Sequence, residues 1–202
     1  MNQVRFEKAR RYSHIGQVSH SNFAYAFGYS KAFELLYESK APIDTIVHPM
    51  MFTLRHYLEL ILKANIEYFA KFSGSNCLVP KLTTTHEIEK LANAFIEHWN
   101  LVKKRAKITV DDTVYFESFN KLISIFKQLD DKSFSFRFAH DKQGNKSFEW
   151  IDQIDIYKIK NIYDVAKVLL NHSVDVFDDH TGIMHGASVE EVLSVIKQGL
   201  NA

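Results

Sequence analysis

Cysteine is nearly absent from this chain: Cys77 stands alone among 202 residues. A single thiol excludes an internal disulfide and a cysteine-based zinc cluster, and it suits a reducing compartment. Glycine and proline are also scarce, with 7 and 3 residues, so few breakers interrupt what should be long regular elements. Net charge is close to absent too. At +1 the chain is not a globally basic nucleic-acid binder, and any polyanion site must be local. No run of about 18 apolar residues occurs, because charges interrupt even the region 46–72, and no membrane span is expected. The opening MNQVRFEKARRYSH lacks the apolar stretch of a secretory signal, which makes the cytoplasm the expected location. Gly-rich phosphate loops, a GxSxG elbow and a partnered cysteine nucleophile are missing, which argues against nucleotide hydrolysis and against serine or thiol hydrolases.

What is present is an apolar, aromatic composition, 46% hydrophobic with 16 Phe and 9 Tyr, enough for a large core in one domain spanning residues 1–202. Apolar residues recur at helical spacing in successive segments. The first, about 22–38, should turn Phe23, Phe27, Phe33, Leu36 and Tyr37 inward. The second, about 44–72, has so wide an apolar arc that it should be central, with Pro49 in its first turn or at a kink. Thr84 and Glu87 read as a capping box for a third helix carrying Ile88, Leu91, Phe95, Trp99 and Val102. Helices over about 113–129 and 155–178 follow, and Ser188 with Glu191 should cap a short last one. Between them, SFSFRFAH alternates aromatic and polar residues and Gly144 follows, which predicts a β-hairpin over about 133–150. The expected fold is all-α, a bundle of five or more helices with a small β-hairpin insertion.

The second helix contains LRHYLELILK at 54–63, where Arg55, Glu59 and Lys63 lie four residues apart on one stripe and His56 sits beside Arg55. Continued to Glu67, the stripe alternates in sign like an exposed ion-pair ladder, each pair contributing about 0.3–0.5 kcal/mol. In a mostly buried helix the same strip would instead line a groove or a subunit interface, where its charges must be paired. In a groove, His56 could move a proton at a ribose 2′-hydroxyl while Arg55 stabilises the phosphorane, with Glu59 orienting them and Lys63 attracting phosphate. No metal or cofactor is required for that chemistry.

His86, after three threonines, is a further candidate for the same site. Arg137 and His140 in the hairpin are candidates to reach nucleic acid among Phe134, Phe136 and Phe138. His180 and His185, near Asp178 and Asp179, match no recognised zinc spacing. Basic clusters at Arg5, Lys8, Arg10 and Arg11 and at Lys103, Lys104, Arg105 and Lys107 read as solvated surface or as a backbone-binding track.

Taken together, PMMFTLRHYLELILKA, THEIEKLANAF, FRFAHDKQGN and IDIYKIKNIYDVAKVLL resemble HEPN-like helical proteins of bacteria over about residues 45–170. The resemblance implies an all-α fold, homodimerisation and, for many members, metal-independent RNA cleavage in defence or toxin systems, with a partner protein or antitoxin. Catalytic members of that superfamily usually carry an Arg and a His with four to six residues between them. None of the arginines here has that partner, since Arg55 is followed at once by His56. Adjacent helical residues diverge by about 100°. The resemblance therefore leaves two expectations open, an RNA-directed protein with Arg55, His56, Glu59 and His86 at its site, and a non-catalytic dimer or adaptor using the same stripe at an interface.

Overall fold

The computed structural model describes residues 20–77, 79–130, 133–149 and 151–198. Among them, six α-helices follow one another: α1 (Asn22–Tyr37), α2 (Ile43–Ala70), α3 (Ile88–Ala106), α4 (Thr113–Asp130), α5 (Ile156–Thr181) and α6 (Val189–Gln198). The all-α bundle is the one the periodicity predicts. No helix among the described residues is long and apolar enough to cross a membrane. The basic cluster Arg5, Lys8, Arg10 and Arg11 lies outside the described residues.

With 28 residues, α2 extends about 42 Å at 1.5 Å per residue. It packs against α1, α3 and α5, while α4 packs on α5 and α3, and α6 rests on α3. The buried apolar residues of all six helices belong to one contiguous core. Pro49 falls in the second turn of α2, on an exposed side, where the carbonyl that loses its intrahelical partner is open to water. The inner stripes of α2, α3, α4 and α5 follow the predicted spacing, and rings from α2, α3 and α5 meet where Phe69, Trp99 and Phe177 pack at 5.1 to 5.9 Å between centroids.

Three expectations are corrected. Phe27 is 73% exposed, and α1 instead buries Ala26, Ser30 and Phe33. Small residues at 26 and 30 let α1 approach its neighbours closely, and the Ser30 hydroxyl lies 2.7 Å from the Tyr163 hydroxyl of α5. That rotation leaves Phe27, one residue round the helix, in water.

The capping box predicted at Thr84 and Glu87 is not formed. Thr84 belongs to a 3-10 turn, Leu82–Thr84, and the Thr84 and Thr85 hydroxyls donate to the Lys81 carbonyl. Helix α3 begins at Ile88 with no side-chain cap, so His86 lies ahead of the helix. The box at Ser188 and Glu191 does form, with the Glu191 amide donating to Ser188 Oγ at 3.2 Å and the Ser188 amide to Glu191 Oε2 at 2.7 Å.

The β-hairpin is not seen either. Among residues 133–149 only a single bridge pairs His140 with Lys146. Asp130, at the end of α4, takes the amides of Phe134 and Ser135 on its side chain, so those groups have no need of a strand partner. The alternating aromatics then split: Phe136 goes into the core beside Phe126 and Phe148, and Phe134 stacks on Phe138 with centroids 4.8 Å apart. Asp141 closes the turn that follows, accepting the Gln143 and Asn145 amides at 2.8 Å each, and Gly144 takes a φ of 86°.

Candidate functional site

The polar stripe of α2 faces into the molecule. Arg55 is 0% exposed, Glu59 2% and Lys63 5%, and each is paired within one chain. Arg55 donates from Nε to the Asp130 carbonyl at 3.0 Å, from Nη2 to the His86 carbonyl at 2.5 Å, and from Nη1 to Glu59 Oε2 at 3.5 Å. Lys63 donates to Glu59 Oε1 at 2.8 Å and to the Thr83 carbonyl at 3.1 Å. One guanidinium and one ammonium thereby fasten α2 to the end of α4 and to the segment that leads into α3. Glu67 remains exposed outside this network.

Glu59 is its anionic centre. Burial raises the carboxyl pKa, but the Lys63 hydrogen bond and the positive charges of Lys63, Arg55 and His86 outweigh burial and hold it below 4.5. The same Oε1 lies 2.8 Å from Nδ1 of His86. Against an ionised carboxylate Nδ1 is the donor, so it is the neutral form of the ring that keeps a lone pair on Nε2. The His86 side chain is 56% exposed, in contrast to the buried Arg55 and Glu59 that hold it. Its backbone is fixed by Arg55 and its ring by Glu59.

His56, next to Arg55, faces another way, as helical geometry requires. Its ring is stacked on Phe52 at 5.6 Å, only 13° from parallel, and meets the edge of Tyr29 of α1 at 4.4 Å. Desolvation lowers its pKa below 6.5, against the pull of Glu59 and with help from Arg55, so the ring is neutral at pH 7. Arg137 places its guanidinium 5.9 Å from the Phe52 ring centre and 5.5 Å from that of Phe138. His140 is exposed in the bridge beyond it.

Comparison with protein-family models, curated proteins and solved structures gives no match. The chemistry open to the site therefore follows from its own geometry.

Of the candidates, Arg55, Glu59, Lys63 and His86 are brought into one network, while His56 and Arg137 share the Phe52 ring beside it. The His180 and His185 rings turn to different partners, the Ala106 carbonyl at 3.0 Å and Asp179 at 3.1 Å, while Asp178 takes the Tyr68 hydroxyl. No group of three or more His, Cys, Asp or Glu side chains placed to hold a metal ion occurs among the described residues. Sequence reasoning missed Asp130, whose side chain is buried and whose Oδ2 has no hydrogen-bond partner among the described residues. It missed Phe52 and Tyr29 as well. An Asp at a helix end ahead of a serine was the available signal for the first; the two aromatics looked like ordinary core.

Proposed function

We propose that this chain is an RNA-directed, HEPN-like protein that cleaves RNA without a metal ion, with His86 as the proton-transfer group. The observation that carries the reading is the Glu59 to His86 contact, in which a buried carboxylate orients an exposed imidazole. His86 Nε2 takes the proton of a ribose 2′-hydroxyl. The 2′ oxygen attacks phosphorus, the bond to the 5′ oxygen breaks, and that oxygen takes a proton from water, whose hydroxide recovers the proton held by His86. The products are a 2′,3′-cyclic phosphate end and a 5′-hydroxyl end. Arg55, Glu59 and Lys63 act through His86 and the segment before α3, as positioning residues, since their side chains are buried. The resemblance to HEPN-like proteins supports the substrate class.

The test is incubation of end-labelled single-stranded RNA with the protein in a chelator, with identification of the ends formed. Wild type is expected to yield cyclic-phosphate ends, and His86→Ala to lose activity by about 10²-fold or more at unchanged stability. Cleavage by His86→Ala at the wild-type rate would remove His86 from the chemistry.

A second reading has its own observation. Arg55, Glu59 and Lys63 all find their partners inside one chain, as a purely architectural network would. On that reading the protein is a non-catalytic adaptor, wild type leaves RNA intact, and Glu59→Gln costs stability alone.

A further inference from the structure

Beside the network lies a surface that the chemistry above does not use. Phe138 is 51% exposed and Arg137 is exposed, with its guanidinium over two phenylalanine rings. An exposed arginine pairs with a carboxylate or stays solvated and open to a ligand. Arg137 has no such carboxylate among the described residues. Behind it, Phe52 and His56 stack nearly parallel and Tyr29 packs at right angles to the imidazole, so the guanidinium lies over a stiff, aromatic base. Phe134 supports Phe138 from the other side.

The segment that bears these groups, residues 133–149, has three cations against two acids, Asp141 and the exposed Glu149. Arg137, Lys142 and Lys146 are exposed on it with His140, and of its two acids Asp141 is occupied by the amides of its own turn. The His56 imidazole, kept neutral by burial, is itself stacked face to face on Phe52. Flat rings, a planar cation and lysines within one turn match the two needs of an unpaired nucleic-acid strand, base faces to stack and phosphates to neutralise. A duplex hides its base faces and offers only the second.

We infer that the Arg137 and Phe138 surface, founded on Phe52 and His56, is a stacking subsite for unpaired RNA bases, with Lys142 and Lys146 along the strand's backbone. The inference rests on the RNA-directed reading. It adds the substrate class, single-stranded over double-stranded RNA. Arg55 links the two surfaces, because it sits next to His56 and holds both the His86 carbonyl and the carbonyl of Asp130, from which the 133–149 segment departs.

The experiment is a fluorescence-anisotropy titration in the His86→Ala background, which prevents cleavage during the measurement. The probes are labelled RNAs of about a dozen nucleotides, all-uridine, all-adenosine and a blunt duplex. Both single strands are expected to bind at least about tenfold more tightly than the duplex, and Phe138→Ala and Arg137→Ala to weaken them by about tenfold. Arg137→Lys, which keeps the charge and loses the plane, is expected to recover less than half of that loss in logarithmic terms, while Lys121→Ala, an exposed change on α4 outside this segment, binds as the parent does. All three altered side chains are exposed, so folding is not at issue. Equal affinity for duplex, or unchanged binding by Phe138→Ala and Arg137→Ala where the parent binds RNA, overturns the subsite and leaves the RNA reading standing. Absence of binding to every RNA by the parent, or binding only to peptides, overturns both.

Discussion

Glu59 is the residue on which the polar interior depends, because one carboxylate answers a guanidinium, an ammonium and an imidazole. Its pKa lies below 4.5 in the folded chain, since the Lys63 and Arg55 interactions overcome the burial that raises it, and those partners are lost on unfolding. A depressed carboxylate contributes stability that is present above the unfolded pKa and disappears as the pH falls through the folded one. Glu59→Gln is therefore expected to be less stable than wild type in urea at pH 7, with the gap closing below about pH 4.5. His56 and His98 act at higher pH. Burial lowers both below 6.5, so the folded chain binds fewer protons than the unfolded one just under that value. Stability should decline as the pH drops from 6.5 to their folded pKa values and then stop declining on their account. His56→Phe, which keeps the stacking on Phe52 without the titration, should flatten that part of the urea-unfolding profile. The spacing of Arg55, Glu59 and Lys63 made the stripe legible in the sequence. Which way it faced was not, because two of its cations are satisfied by backbone carbonyls of Asp130, His86 and Thr83, and a carbonyl leaves no trace in residue type.

Helix α6 is the element whose stability is most local. It rests on α3 alone among its stronger contacts and begins with the reciprocal Ser188 and Glu191 cap. Ser188→Ala is expected to cost about 1 kcal/mol, felt chiefly as faster amide hydrogen exchange over 189–198 with little change elsewhere. Exchange that stays as slow as in wild type would mean that packing of Val192 and Ile196, not the cap, holds the helix. That cap was legible because both of its partners lie within one turn. The similar pattern at Thr84 and Glu87 misled, since the Thr84 and Thr85 hydroxyls donate to the Lys81 carbonyl and Thr84 belongs to a 3-10 turn. The hairpin failed for a related reason. Alternation in SFSFRF is a strand signal only when the amides lack other acceptors, and here the Asp130 carboxylate supplies one. The helical stripes succeeded because a period of 3.6 repeated over several turns is hard to imitate by chance.

At the scale of the whole molecule, a charge of +1 would limit how the proposed RNA strand is held. Two or three phosphate contacts at the 133–149 segment imply a slope of log affinity against log salt of about −1.4 to −2, at roughly −0.7 per phosphate on a single strand. A much steeper slope in the same anisotropy titration would place the strand on a broader basic surface than the aromatic one. Stability joins the scales, since the account has the stripe as a frame buried within one chain and His86 as the group it exposes. The most direct test is the thermal midpoint of Arg55→Ala beside that of His86→Ala. Removing Arg55 leaves the Asp130 and His86 carbonyls without that donor and the Glu59 carboxylate with less charge around it. Breaking such a buried pair costs about 3–5 kcal/mol, and at about 2–4 °C per kcal/mol for a chain of this size the midpoint should fall by about 6–20 °C. His86→Ala should melt within about 2 °C of wild type, as exposed substitutions do. An Arg55→Ala protein that melts with the wild type would contradict the account at its centre.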